Sequence, residues 1–299
     1  MKRRQFLTAL AMATPAVLTL GAIRASAGFL DDLTDIVPTE VTTIFESGQK
    51  IAAGFEDITP EQEYYLGRSV AAIILSRYKP LNHPHSLAYI NVMGQTLAQA
   101  SDRPETFGGY HFMVLDTDEI NALSAPGGFI FVSKGLLKCC TSEDAMAAVL
   151  AHEIGHVQRQ HGLQAIQQSR ISDGVTTLAI TGTSTLSGGT LKELTTTFDD
   201  SIKDITTTMI DSGYSRSAED EADADAVTIM QRLGYDPNAI IDMLNEMRKR
   251  MIPDSKGFAR THPTPTQRIE GITNIIGSYK RPGPCPPRAA RFSRMTKGI

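Results

Sequence analysis

The pentapeptide His152-Glu153-Ile154-Gly155-His156 constrains the fold of this chain more than any other feature. It lies within a stretch whose apolar residues recur at helical spacing, and positions i and i+4 of a helix lie one turn apart on one face. The two imidazoles can therefore reach a single metal ion while Glu153 projects beside them. Zinc bound in this way lowers the pKa of its water toward about 7, and a neighbouring glutamate can accept the proton. The pentapeptide predicts a zinc hydrolase whose site is built on an amphipathic helix.

A catalytic zinc needs a third protein ligand and an open fourth position. The metzincin pattern would place that ligand six residues beyond His156, but position 162 is Gly, so the pattern is excluded. We interpret His161 as a cation that favours the C-terminal end of its helix. Glu219 and Asp223 share a helical face further along the chain, so one carboxylate can bind the metal while the other hydrogen-bonds a ligating imidazole. The alternative is that these acids only complement the dipole of their own helix.

Hydrophobic periodicity predicts a mostly helical chain with one small sheet. Helical patterns cover residues 61–78, 86–100, 217–233, 237–251 and 264–276, and strand patterns cover residues 110–115 and 128–132. A capping box at Thr141 and Asp144 begins the helix of the pentapeptide, which should run to about His161, where Gly162 can end it. Residues 163–213 have only loose helical patterning. The predicted fold class is α+β.

Both ends of the chain are basic and its body is acidic. Residues 1–27 carry a charge of +4 and residues 280–299 a charge of +6, which leaves −14 for residues 28–279 out of the total of −4. An acidic body disfavours nucleic acid as a partner, because phosphate binding needs a basic face. The basic, Pro-rich tail at 280–299 has too little apolar content to pack and is predicted to be disordered.

The first 27 residues have the order of an export signal. A basic start is followed by an apolar stretch of 18 residues and by Ala25-Ser26-Ala27, an A-x-A cleavage site. The pair Arg3-Arg4 also resembles the twin-arginine export motif, although an ordinary secretory signal can carry two arginines by chance. A membrane anchor is the alternative, and the short apolar stretch with its Pro15 disfavours it. We therefore predict a signal peptide at 1–27, an N-terminal leader at 28–60 and no transmembrane segment in the mature chain.

Three cysteines are too few for a disulfide scaffold. Cys139 and Cys140 are adjacent, and α-carbons about 3.8 Å apart are too close for an unstrained bond between them. In an oxidising compartment one of them can pair with Cys285 and hold the tail, or all three can stay free. The sequence leaves these alternatives open.

Five groups of residues, in a fixed order, connect the chain with a known family. They are Asn121-Ala122-Leu123, residues 126–132, the pentapeptide, Ser215-Arg216 with Glu219-x-x-Ala222-Asp223, and Thr261-His262-Pro263 with Arg268-Ile269. This set resembles the HtpX and CAAX-prenyl-protease-like zinc metallopeptidases, peptidase family M48. The resemblance implies a gluzincin-type fold in one zinc metallopeptidase domain at 61–279. The edge strand of its small sheet would flank the pentapeptide helix.

The resemblance also assigns roles to individual residues. It implies one zinc ion per chain, held by His152, His156 and Glu219. Glu153 would be the general base and acid. Asp223 would contact one of the zinc ligands without binding the metal itself.

Three further roles are carried over from the same family. Residues Gly128, Phe129, Ile130, Phe131 and Val132 match its edge strand, along which an extended substrate adds as another strand. An ordinary hairpin strand is the alternative for this segment. His262 matches a position near the site, where it could stabilise the oxyanion or approach the zinc as a regulatory ligand. Arg268 could bind substrate or pair with an acid such as Glu219 or Asp223.

The chain resembles the soluble, exported branch of the family, similar to bacterial periplasmic proteases of the BepA and LoiP type. Residues 163–213 contain no run of 18 apolar residues, which separates it from the membrane-embedded branch. The resemblance implies a zinc metalloendopeptidase of the periplasm or cell envelope that cuts extended or misfolded polypeptides. Association with the outer membrane and with its protein-assembly machinery is a further expectation. The alternative is a chaperone-like protein that binds unfolded envelope proteins and has weak or latent protease activity.

Overall fold

A computed structural model describes residues 58–172, 203, 206–207, 209–210, 213–250 and 262–299. The predicted signal peptide lies outside the described residues, as do all but the last three residues of the predicted leader. Most of the loosely patterned segment at 163–213 lies outside them as well. Within the described ranges, every helix is too short or too polar to cross a bilayer.

The described residues form helices and one three-stranded sheet, which confirms the predicted fold class. The helices are α1 (Pro60–Arg77), α2 (Pro84–Gln99), α3 (Lys134–Leu137), α4 (Glu143–Gln158), α5 (His161–Ser172), α6 (Arg216–Arg232), α7 (Asn238–Arg250), α8 (Pro265–Ile276) and α9 (Pro286–Thr296). The strands are β1 (His111–Leu115), β2 (Ala122–Ala125) and β3 (Phe129–Ser133). The five predicted helical patterns outside the pentapeptide match α1, α2, α6, α7 and α8 to within two residues at each end.

Helix α4 carries the pentapeptide and is buried along most of its length. It begins one residue later than predicted, because the hydroxyl of Ser142 and not that of Thr141 caps it by accepting from the backbone of Ala145 at 3.1 Å. It also ends earlier than predicted. Gln160 adopts a left-handed backbone with φ of 57°, which stops α4, and the chain starts α5 at His161.

The small sheet has the order β1-β3-β2, with β3 parallel to β1 and antiparallel to β2. The prediction that 128–132 is the edge strand is therefore wrong, because β3 is paired on both sides. Its antiparallel partner β2 lies between the two strand patterns at 110–115 and 128–132, where the sequence predicts no strand. The reversal from β2 to β3 passes through Gly127 and Gly128, whose φ angles of 75° and 102° favour glycine. Among the described residues, β1 and β2 are the two edge strands of this sheet, and β2 is the one that packs against α4.

Helices α4 and α6 cross at close range. A Cβ added at Gly155 of α4 would lie 3.0 Å from the Cα and 3.1 Å from the carbonyl oxygen of Ala222 on α6. Only a residue without a side chain permits this distance without displacing α6. The crossing brings the histidines of α4 directly opposite the acidic residues at the start of α6.

The prediction of a disordered tail at 280–299 is wrong for most of that segment. Helix α9 packs against α2 and α4 and buries Met295 to 2% exposure. The guanidinium of Arg291 binds the carboxylate of Glu143, in the first turn of α4, with nitrogen–oxygen distances of 2.6 and 3.0 Å. Apolar content alone does not predict this helix, because much of its attachment is electrostatic.

Cys139 and Cys140 are buried, Cys285 is exposed, and all three are free, so ion pairs rather than a disulfide hold the tail.

Candidate metal centre

Four buried side chains from three parts of the fold converge on one point. His152 and His156 lie one turn apart on α4, with Nε2 atoms 3.2 Å apart. Glu219, in the first turn of α6, has Oε2 3.5 Å from Nε2 of His152 and Oε1 3.5 Å from Nε2 of His156. His262, which precedes α8, has Nδ1 2.7 Å from Oε2 of Glu219. One potential ligand atom from each of the four residues lies within 4.8 Å of the other three. The three predicted ligands are thus together, and His262 lies with them.

The electrostatics of this cluster fit a divalent cation. Oε1 of Glu219 is buried and accepts no hydrogen bond from any described residue. An unsatisfied buried oxygen costs free energy unless a cation neutralises it. Burial raises the pKa of Glu219, but His262 and His152 outweigh this effect and hold the pKa far below its ordinary value. The ionised carboxylate and the imidazole nitrogens form the mixed nitrogen and oxygen donor set of a zinc-like ion.

A buried ion pair supports His152 on the side away from its Nε2. Oδ1 of Asp223 lies 2.9 Å from Nδ1 of His152. Arg268, on α8, donates from Nε to Oδ2 of Asp223 at 3.0 Å and from Nη2 to Oδ1 at 2.5 Å. Burial raises the pKa of Asp223, but Arg268 and His152 lower it by a larger amount, so the carboxylate stays ionised. Asp223 therefore occupies the position predicted for the acid that hydrogen-bonds a ligating imidazole. Arg268 forms an ion pair with Asp223.

A different set of residues contacts the second histidine. Nδ1 of His156 is 2.8 Å from Nδ1 of His161, and the ring of Tyr214 stacks on His156 with 4.5 Å between ring centroids. The interpretation of His161 as a cation at a helix C-terminus is wrong. It begins α5, it is buried, and burial lowers its pKa despite the nearby Glu221. Sequence reasoning missed Tyr214, which immediately precedes the Ser215-Arg216 motif and has no spacing signal of its own.

Glu153 faces a cleft between α4 and the edge of the sheet. The cleft is lined by Ala122, Leu123, Ser124, Glu153, Met209, Gly213, Tyr214 and His262. Three of these residues belong to β2. The predicted substrate strand, Gly128, Phe129, Ile130, Phe131 and Val132, does not line the cleft, because β2 lies between β3 and Glu153. Strand β2 therefore occupies the position beside the pentapeptide helix that the sequence predicts for residues 128–132.

Residues 84–276, from the start of α2 to the end of α8, match the model of peptidase family M48. This chain belongs to that family. The matched region contains the pentapeptide, Glu219, Asp223, His262 and Arg268, whereas α1 and α9 lie outside it. Thr261, the first residue of the last motif, lies outside the described residues.

Several relatives of this M48 chain are proteases by name. The beta-barrel assembly-enhancing protease of Escherichia coli (strain K12) is 26% identical over 262 residues, which cover 87% of this chain and 50% of that protein. The mitochondrial metalloendopeptidase OMA1 of Schizosaccharomyces pombe is 28% identical over 224 residues, which cover 73% of this chain and 62% of that protein. Metalloprotease YcaL of Escherichia coli is 25% identical over 170 residues, covering 57% of this chain and 63% of that protein. The predicted family is confirmed. The M48 chain spans about half the length of the first of these relatives.

Proposed function

We propose that this M48 chain is a zinc-dependent metalloendopeptidase of the bacterial periplasm or cell envelope, which hydrolyses peptide bonds of extended or misfolded proteins. The observation that carries the proposal is the cluster of His152, His156 and Glu219. In this cluster the buried Oε1 of Glu219 lacks a hydrogen-bond partner among the described residues. When bound, zinc supplies a Lewis acid that polarises a peptide carbonyl and acidifies water.

The chain's own residues have distinct tasks in this reaction. His152, His156 and Glu219 hold the metal. Glu153 lines the cleft beside them, so it can take a proton from the attacking water and give it to the leaving amine. His262 also lines the cleft and can hydrogen-bond the oxyanion or approach the metal as a fourth ligand.

We place the substrate on β2 as an additional strand. Ala122, Leu123 and Ser124 line the same cleft as Glu153, and β2 is paired only with β3 among the described residues. Strand addition supplies affinity through main-chain hydrogen bonds, which suits extended or unfolded polypeptides. Folded substrates would first have to expose such a segment.

The cellular setting is part of the proposal. The predicted signal peptide at 1–27 supports export to the periplasm. The likeness to a protein named for enhancing β-barrel assembly supports contact with the outer-membrane protein assembly machinery and association with the outer membrane.

The alternative is a chaperone-like binding protein with weak or latent protease activity. Two observations favour it. The edge of β2 can capture a strand without cleaving it, and a ring nitrogen of His262 lies within 4.8 Å of the other ligand atoms, where it can fill the open metal position.

One variant separates the two functions. Glu153→Gln should bind zinc like the wild type yet fail to cleave casein, while Asp220→Asn, an exposed neighbour of the site on α6, should remain active. Full casein cleavage by Glu153→Gln would refute the proposed catalytic role. If Glu153→Gln restores envelope integrity in a deletion strain, binding rather than cleavage is the main function.

A further inference from the structure

On the side away from the metal position, the ring of His156 contacts two aromatic side chains, His161 and Tyr214. Its Nδ1 atom lies 2.8 Å from Nδ1 of His161, and both side chains are buried. Tyr214 covers the pair, with ring centroids 4.5 Å from His156 and 5.9 Å from His161. Two ring nitrogens at this distance share one proton, because one of them must donate and the other accept.

The surroundings decide which nitrogen is the donor. Nε2 of His156 lies 3.2 Å from Nε2 of His152 and 3.5 Å from Oε1 of Glu219, so it is the nitrogen that faces the metal position and needs its lone pair. The proton of His156 is then on Nδ1, and Nδ1 of His161 accepts it. The proton of His161 is then on Nε2, which lies 3.4 Å from Oε2 of Glu221. We assign these tautomers from the hydrogen-bond network.

The backbone break after α4 makes this contact available. A continuous helix would carry His161 five positions beyond His156 and onto a different face. Instead, Gln160 takes up a left-handed conformation, with its N–H donating to the carbonyl of Val157 at 3.1 Å and its own carbonyl accepting from Gln164 at 2.9 Å. The chain turns at this point and α5 begins with the imidazole of His161 directed at His156.

We propose that His161 is a positioning residue for the metal, which fixes the tautomer and ring orientation of His156 through its Nδ1 acceptor. The inference rests on the proposed function, since it assumes that His156 binds zinc. It makes the two histidine ligands unequal: the ionised Asp223 supports His152 directly, whereas a neutral imidazole supports His156. A partner that orients a metal-bound histidine typically contributes about 10- to 100-fold in metal affinity.

Two isosteric variants of the full chain test the acceptor. In His161→Asn the side-chain oxygen takes the position of Nδ1, so zinc affinity measured by chelator competition should stay close to that of the wild type. In His161→Gln the amide extends toward the former Nε2 position, so affinity should fall by about 10- to 100-fold. Thermal unfolding of the metal-free proteins shows whether either change acts through stability instead.

Long-range nitrogen–proton NMR spectra of the zinc-loaded wild type provide a second measurement that needs no variant. The expected pattern has His156 protonated on Nδ1 and His161 protonated on Nε2. A proton on Nδ1 of His161 would overturn the inference, as would equal zinc affinities for His161→Gln and the wild type. An equal loss in His161→Asn and His161→Gln would also overturn it. Failure of the wild type itself to bind zinc would instead refute the proposed function.

Discussion

The hydroxyl of Tyr214 donates a hydrogen bond to the backbone carbonyl of Ser124 at 3.0 Å, which connects the ring that stacks on His156 with the edge strand β2. Hydrogen bonding alternates along an antiparallel strand, and the carbonyl of Asn121 accepts from the backbone of Ser133. Counting from Asn121, the carbonyl of Ser124 faces away from β3. It is therefore one of the groups that an added substrate strand would use, and Tyr214 occupies it.

Replacing Tyr214 by Phe should strengthen substrate binding. The ring and its stacking on His156 remain, but the carbonyl of Ser124 becomes fully available to a substrate N–H. A neutral hydrogen bond contributes a net of about 0.5–1.5 kcal/mol, so KM for an unfolded substrate should fall by about 2- to 10-fold. Steady-state kinetics test this, with zinc content expected to match the wild type. A rise in KM would show that the hydroxyl contacts the substrate.

Replacing Arg268 by Ala should destabilise the fold strongly. It leaves the carboxylate of Asp223 buried without its cation, and loss of one partner of a buried ion pair costs about 3–5 kcal/mol. Denaturant unfolding measures this change. Arg281→Ala is the matched control, because its ion pair with Asp242 is exposed and should contribute only about 0–1 kcal/mol. Similar losses in the two variants would contradict a special role for the Arg268–Asp223 pair.

Helical periodicity accounts for the parts of the site that the sequence predicts correctly. His152 and His156, like Glu219 and Asp223, are four residues apart on helices, so their side chains share a face whatever the rest of the fold does. The close crossing of α4 and α6 then brings the two pairs together. This crossing depends on Gly155. The spacing of the ligands does not indicate that Gly155 is needed for helix packing.

The features that sequence reasoning missed depend on partners distant in the chain or on irregular backbone. Strand β2 has only four residues, Ala122–Ala125, and lacks the β-branched and aromatic side chains that indicate a strand. Helix α9 is held by residues such as Asp144, which lies 144 positions from its partner Arg288. The position of His161 depends on one left-handed residue, Gln160, a conformation uncommon outside glycine, asparagine and aspartate.

Arg291→Ala should loosen the attachment of α9 to the first turn of α4. Glu143 is buried to 1% exposure. Without Arg291 it keeps the hydroxyls of Tyr89 and Tyr235, and the more distant Arg288, whose Nε lies 3.9 Å from Oε1 of Glu143. Loss of a charged hydrogen bond at a buried carboxylate should lower the free energy of unfolding by about 1–3 kcal/mol. Arg294→Ala removes an exposed arginine from the same helix and should change it by no more than about 0.5 kcal/mol. Equal melting temperatures for the two variants would refute the contribution of α9.

Glu63→Ala should impair substrate binding without affecting the metal. The buried carboxylate of Glu63 accepts from the backbone of Gly127 at 3.0 Å and from Arg103 at 2.9 and 2.5 Å, which ties α1 to the turn that follows β2. Without this anchor β2 can shift, so KM for an unfolded substrate should rise while zinc affinity stays unchanged. Kinetics and chelator competition on the same samples test both expectations. Glu61→Ala, an exposed acid in the same helical turn, is the control. If Glu63→Ala is less stable than the wild type but has a normal KM, the carboxylate contributes only to folding and not to substrate binding.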